Sequence, residues 1–118
     1  MHKKGVLKNL PAGGGCLAGI NLPKESGFYS EKMEVSFERA DLRELPGPLH
    51  THNKMDELVI VLRGRFVVEM DGEQLEINQG EYVFKNAGSP GRAIAADFET
   101  EILIVKSPSV AGDVSIIG

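Results

Sequence analysis

The chain has 118 residues, a length that suits one domain built around a single core. Hydrophobic residues make up 42% and charged residues 25%, which is ordinary for a globular protein and argues against disorder. The net charge of -4 argues against nucleic acid and acidic membrane surfaces, so neither is expected as a partner.

Cysteine content and hydropathy set the expected compartment. Cys16 is the single cysteine, so no intramolecular disulfide can form, which suits a reducing environment. The basic start lacks the apolar run of a signal peptide, and no stretch approaches the roughly 20 apolar residues of a membrane helix. We therefore expect a cytoplasmic protein with no membrane association.

Residues 1–30 are predicted to be a loop-rich lead-in to a single β-barrel domain that spans 31–118. Prolines and glycines, including the triplet at 13–15, interrupt this segment too often for a useful helix. A short extended piece at 17–22 either pairs with a sheet edge, such as that of another subunit, or packs loosely as part of a mobile terminus.

From residue 32 onward, a hydrophobic period of two indicates β-strands. Met33, Val35 and Phe37 alternate with polar residues, which is typical of a half-buried strand. The run 58–62 is continuously apolar and rich in β-branched residues, which predicts a well-buried strand.

The second half of the chain carries further strand and turn signals. Asp71-Gly72 predicts a hairpin, because both turn positions need positive φ. Strands are also expected at 82–84 and 102–105, and the apolar tail 114–117 is expected to dock back on the sheet. Many short strands without a helical period indicate an all-β barrel or sandwich. The side chains expected in its core are Phe66, Val68, Met70, Tyr82 and Phe84.

Two histidines and a glutamate form the candidate metal-binding set. His50 and His52 are two residues apart on a segment expected to be extended, so both imidazoles can point into one cavity. Glu57 opens the buried run, where an inward carboxylate is costly unless it is paired or bound to metal. Two imidazoles and a carboxylate suit a divalent cation and leave positions open for water, substrate or dioxygen. The alternative is that both histidines merely lie in a surface loop.

Residues 47–64 resemble the first conserved motif of the cupin superfamily. That motif has His-x-His, then Glu after three or four residues and Gly after six more. Here those places are taken by His50, His52, Glu57 and Gly64. The resemblance extends over roughly residues 30–106.

The segment with Gly80, Gly88 and Pro90 is similar to the second cupin motif, although Asn86 stands where the family usually has proline. The histidine that supplies the family's fourth metal ligand falls here on Gly91, which has no side chain to donate. Three interpretations stay open: a metal held by three ligands, a fourth ligand from water or substrate, or a degenerate cupin that kept only its cavity.

The resemblance implies a double-stranded β-helix, which is the jelly-roll barrel of the cupins. It also implies a divalent ion (Fe, Mn, Ni or Zn) held by His50, His52 and Glu57, a small organic molecule as ligand or substrate, and a homodimer. The implied activity is that of a metal-dependent enzyme of dioxygenase or isomerase type, with no catalytic residue to name. The alternatives are a non-catalytic ligand-binding cupin that lost its metal because residue 91 is glycine, and a structural barrel.

Arg92, next to Gly91, is a candidate contact for an anionic substrate. Strand alternation argues against this role, because Arg92 faces outward if Gly91 faces inward. By the same alternation, Ala93 and Ala95 would face the cavity and enlarge it.

Overall fold

The computed structural model describes residues 2–117, which form ten β-strands and three single-turn 3-10 helices. The strands are β1 (Gly14–Ala18), β2 (Glu34–Arg39), β3 (His50–Thr51), β4 (Asp56–Arg63), β5 (Arg65–Met70), β6 (Glu73–Asn78), β7 (Tyr82–Lys85), β8 (Gly91–Ala96), β9 (Glu101–Ser107) and β10 (Ser115–Ile116). The 3-10 helices are Leu7–Asn9, Lys24–Ser26 and Ala40–Leu42. None of the helices within residues 2–117 has the length and apolar character needed to cross a membrane.

The strands form two five-stranded sheets with the orders β1-β2-β9-β4-β7 and β10-β3-β8-β5-β6. Neighbouring strands run antiparallel, and many of them are distant in sequence; β9, for example, lies between β2 and β4. This is the all-β, double-stranded β-helix (jelly-roll) architecture that the sequence predicts.

The hydrophobic core lies between the two sheets. Its buried members are Ala40, Val59, Val61, Phe66, Val68, Ile77 and Ile102. The run 58–62 was predicted to be a well-buried strand, and this is correct for one face of the strand only. Val59 and Val61 are buried, whereas Leu62 is 43% exposed. Successive side chains of a strand leave opposite faces of the sheet, so only every second residue of this apolar run reaches the core.

The prediction that Tyr82 and Phe84 belong to the core is wrong. Their side chains are 71% and 55% exposed, because the inward-facing residues of β7 are Val83 and Lys85. The other three predicted core residues lie in the core or pack against it.

The outer side of the first sheet is apolar across four strands. Ile60 lies between its cross-strand partners Tyr82 and Leu103, and Leu103 in turn pairs with Phe37. The strand predicted around residues 33–37 therefore turns its apolar side chains outward. We call this surface the outer apolar face; it consists of Val35, Phe37, Leu58, Ile60, Leu62, Tyr82, Phe84, Leu103 and Val105.

Strand β1 lies within the predicted lead-in and forms one edge of the first sheet. Gly14, Gly15 and Cys16 pair with β2 of the same chain. The extended piece therefore begins earlier than the predicted 17–22 and pairs with its own sheet. The domain division at residue 30 stays a prediction.

The predicted hairpin and the docking of the tail are both confirmed. Asp71 and Gly72 have φ values of 52° and 78° and connect β5 to β6. Strand β10 pairs with β3, with Ser115 opposite Thr51 and Ile116 opposite His50. The end of the chain is thereby held beside the candidate histidines.

Candidate functional site

A cavity of about 270 Å³ lies between the two sheets and contains all three predicted metal ligands. Its apolar wall is formed by side chains that include Val59, Phe66, Val68, Met70 and Ile104. Its charged and polar side chains include His50, His52, Glu57, Lys85, Arg92 and Lys106. The cavity is therefore lined by polar and charged side chains as much as by apolar ones, which suits a polar small molecule.

A backbone carbonyl orients each imidazole. His50 Nδ1 lies 2.8 Å from the Pro48 carbonyl oxygen, and His52 Nδ1 lies 3.0 Å from that of Asp113. A carbonyl can only accept a hydrogen bond, so in the neutral imidazole Nδ1 carries the hydrogen and Nε2 keeps a lone pair. Burial lowers the pKa of His50, and the Lys85 ammonium lowers it further. The ring is therefore in the neutral form that metal binding requires.

Asp113 holds the segment between β3 and β4 in place. Its carboxylate accepts hydrogen bonds from the backbone N–H groups of Asn53 (3.1 Å), Lys54 (2.8 Å) and Met55 (3.0 Å). Burial alone would raise the pKa of Asp113, but these hydrogen bonds outweigh it and hold the pKa below its ordinary value. Asp113 thus orients His52 through its carbonyl and fixes the following loop through its carboxylate.

Glu57 lies in a row of alternating charges across the first sheet. It is directly opposite Lys85 on β7 and Lys106 on β9. Lys106 Nζ lies 3.9 Å from a carboxylate oxygen of Glu57 and 3.7 Å from one of Glu34. Burial would raise the pKa of Glu57, but a hydrogen bond from His52, when its Nε2 carries a proton, and the two ammonium groups outweigh burial and hold it below its ordinary value. The Glu57 carboxylate is therefore ionised at neutral pH.

The donor atoms of His52 and Glu57 face each other. His52 Nε2 lies 3.4 Å from Glu57 Oε2. With the His52 proton on Nδ1, a lone pair faces a carboxylate, and a proton or a cation between the two atoms relieves their repulsion. Two atoms that bind one metal ion at about 2.1 Å lie roughly 3–3.4 Å apart, so this pair fits a shared ion.

His50 lies in the same cavity but is less closely associated with the other two residues. The rings of His50 and His52 meet edge to face with their centroids 5.1 Å apart. Within residues 2–117, no group of three His, Cys, Asp or Glu side chains is close enough to form a complete metal site. The structure therefore brings His52 and Glu57 together in a pair, with His50 beside them.

Lys85 occupies the space next to Gly91, where the sequence leaves a ligand missing. A Cβ atom at Gly91 would lie 3.1 Å from Lys85 Nζ and 3.1 Å from the carbonyl oxygen of Glu69. Lys85 is not among the site residues predicted from the sequence, because Tyr82 was expected on the inner face of β7. The available signal was the alternation itself, since residues 83 and 85 share a face.

Strand β8 departs from the expected alternation. Arg92 contributes to the cavity lining although alternation predicts an outward side chain, and it also meets its cross-strand partner Glu69 at 3.2 Å. Ala93 lines the cavity as predicted, but Ala95 is exposed. A β-bulge between these two alanines changes the register against β5 and reverses the facing of the residues after it.

The sequence profile of the cupin domain matches residues 42–105, a stretch that includes both histidines and Glu57. The chain belongs to the cupin family. No curated protein sequence matches this cupin.

Solved structures share the fold of this cupin. A protein from Planctomyces limnophilus has a TM-score of 0.73 and 14% identity, and the match covers 97% of this chain and 96% of that one. KdgF from Halomonas sp. has a TM-score of 0.62 and 21% identity over 70% of this chain and 74% of that one. DMSP lyase DddQ from Ruegeria pomeroyi DSS-3 has a TM-score of 0.63 and 19% identity over 88% of this chain and 51% of that one. At these identities, the likeness shows the fold alone.

Proposed function

We propose that this cupin is a metal-dependent enzyme that holds a divalent ion through His50, His52 and Glu57 and acts on a small organic molecule in the same cavity. The observation that carries the proposal is the 3.4 Å pair of His52 Nε2 and Glu57 Oε2. The donor set suits Fe, Mn, Ni or Zn, and such an ion supplies Lewis-acid chemistry at its open positions. One structural neighbour, DMSP lyase DddQ, is an enzyme by its name, which supports an enzymatic role.

The residues of the chain have distinct roles in this proposal. The two imidazoles and the carboxylate bind the ion, and the carbonyls of Pro48 and Asp113 keep each Nε2 directed away from the backbone. Lys106 compensates the charge of Glu57 from the neighbouring strand. The apolar wall limits the access of water to the bound molecule.

Metal analysis of the purified protein tests this proposal. Protein loaded with Mn, Fe, Ni or Zn and freed of excess metal is expected to retain about one ion per chain, because three donors line one cavity. His50→Ala and Glu57→Gln are expected to lower that content, whereas the matched changes at exposed positions, His2→Ala and Glu73→Gln, leave it unchanged. A low metal content that is equal in all five proteins would contradict the proposal.

A second candidate function is a non-catalytic binding module that has lost the metal. The Lys85 ammonium beside Gly91 favours it, because a cation stands where another ligand would be needed. The two functions differ in turnover, because only an enzyme converts the bound molecule into a product. Protein that binds a small molecule in the cavity without metal and releases it unchanged is a binding module.

We also propose that the outer apolar face joins two copies of this chain into a homodimer. The face is continuous across four strands, and its aromatic residues Tyr82 and Phe84 are largely exposed in the single chain. Large apolar patches are unusual on monomeric proteins, and an apolar face of this kind can pair with itself about a two-fold axis.

A charged side chain on this face is expected to separate the dimer. Phe84→Glu places a carboxylate within the proposed interface, on the edge strand β7, where it has no partner. Phe98→Glu is the matched control, because Phe98 is 83% exposed but lies in the turn between β8 and β9. Light scattering coupled to size-exclusion chromatography should give twice the chain mass of 12.8 kDa for the wild type and the control, and one chain mass for Phe84→Glu. A wild-type protein with the mass of one chain would contradict the dimer.

A further inference from the structure

We propose that Lys85 binds a carboxylate group of the small molecule in the cavity, so that the site takes an organic acid. The inference rests on the proposed function only in placing the ligand in this cavity. It does not depend on the metal.

Lys85 is a buried cation that contacts no carboxylate of the described residues at ion-pair distance, although the charge of Glu57 lies opposite it on β4. Its side chain is 5% exposed and lies in the cavity wall. Among residues 2–117 it makes no hydrogen bond and no close ion pair, whereas the neighbouring Lys106 contacts both Glu57 and Glu34. An ammonium group has three hydrogen-bond donors and is costly to bury without a counter-charge. A ligand that enters the cavity can supply that charge.

Glycine at position 91 leaves the ammonium accessible from the cavity. A Cβ atom there would lie 3.1 Å from Lys85 Nζ and 3.4 Å from its Cδ, so any larger side chain would press on the lysine or cover it. Gly91 itself lines the cavity. The open space beside Gly91 and the Lys85 ammonium group together form a small cationic subsite.

The remaining charges of the cavity favour a singly charged ligand group. The other basic side chains that line it already have carboxylate partners: Arg43 lies 3.7 Å from Glu38, Arg92 lies 3.2 Å from Glu69, and Lys106 lies 3.9 Å from Glu57. Lys85 shares the charge of Glu57 with Lys106 but itself contacts no carboxylate within residues 2–117, so one ammonium group is open to one ligand carboxylate. A phosphate dianion would bring a second negative charge towards Glu57, which lies directly opposite Lys85.

Titration with a matched pair of probes tests the subsite. Lactate and its neutral amide, lactamide, have nearly the same shape and differ in the charged group. We expect wild-type protein to bind lactate about tenfold more tightly than lactamide, because a charge-assisted hydrogen bond to Lys85 is available only to the carboxylate. Lys85→Met and Lys85→Gln should abolish this preference, Lys85→Arg should retain part of it, and Lys54→Met, at an exposed position, should leave it intact.

Equal binding of lactate and lactamide by the wild type overturns the inference, and this comparison does not depend on any variant being folded. Inorganic phosphate that binds more tightly than lactate overturns the choice of a carboxylate. Metal content is measured on the same samples. Lactate binding that needs Lys85, in protein that retains no metal after loading, supports the inference and contradicts the metal function. Unchanged lactate affinity in metal-loaded Lys85→Met overturns the inference and leaves the metal function standing.

Discussion

Replacing Asp113 with alanine is expected to lower the free energy of unfolding by about 3 kcal/mol and to weaken metal binding roughly ten- to a hundredfold. The substitution leaves the N–H groups of Asn53, Lys54 and the buried Met55 without their shared acceptor. The loop between β3 and β4 then loses the contact that fixes it, and the carbonyl that orients His52 moves with the tail. Stability and metal affinity are therefore expected to fall together.

Asp113→Asn provides the graded control for this effect. Asn53 bonds one carboxylate oxygen, whereas Lys54 and Met55 bond the other, so an amide oxygen can retain two of the three hydrogen bonds. Urea unfolding and a chelator competition titration should place Asp113→Asn between the wild type and Asp113→Ala. An Asp113→Ala protein with wild-type stability and metal affinity would show that the tail does not support the site.

An imidazole at position 91 is expected to strengthen metal binding only when Lys85 is removed as well. In Gly91→His, the new Cβ would lie 3.1 Å from Lys85 Nζ and 3.1 Å from the Glu69 carbonyl oxygen, so the imidazole and the ammonium compete for one space. In the double variant Lys85→Ala/Gly91→His, the repelling cation is gone and a fourth ligand is added. We expect its metal affinity to exceed that of the wild type by about tenfold or more.

Zinc competition titrations of the wild type, both single variants and the double variant form a complete cycle. We expect little or no gain in zinc affinity from Gly91→His alone. In the double variant, the gain in the free energy of zinc binding should exceed the sum of the two single effects. If Gly91→His alone binds zinc as tightly as the double variant, Lys85 does not occupy the space beside residue 91.

The parts of the fold that depend on local signals could be predicted from the sequence. The Asp71-Gly72 turn and the apolar character of the tail are each encoded within a few residues, and the three candidate ligands, which stay a prediction, come from one short motif. The orientation of β7 could not be predicted from the sequence, because alternation defines the two faces of a strand without showing which of them is buried. Here the outer face is apolar as well. Hydrophobicity alone therefore placed Tyr82 and Phe84 in the interior, and the inward position of Lys85 was not predicted.

Asp113 could not be predicted as a supporting residue for a different reason. Its partners are about 60 residues away in the chain, and only the pairing of β10 with β3 brings them together. The row of charges around Glu57 likewise exists only through the pairing of β4 with β7 and β9. The cytoplasmic location and the absence of nucleic-acid partners stay predictions.

The position of Lys85 adds to the interpretation of Gly91. A glycine in place of a ligand suggested a metal held by three ligands, a fourth ligand from water or substrate, or a lost function. The structure adds a fourth possibility, in which the space is filled from β7 of the opposite sheet by a cation that can bind the substrate. Metal and lysine would then contact different parts of one organic acid, with Glu57 between them.

Anomalous diffraction from crystals grown with manganese or zinc, measured at the absorption edge of the metal, tests the central claim most directly. The account predicts one peak in the cavity, bound by Nε2 of His50, Nε2 of His52 and the carboxylate of Glu57, with the Lys85 ammonium outside the ligand set. A cavity without a peak, with His52 and Glu57 still facing each other at 3.4 Å, would contradict it.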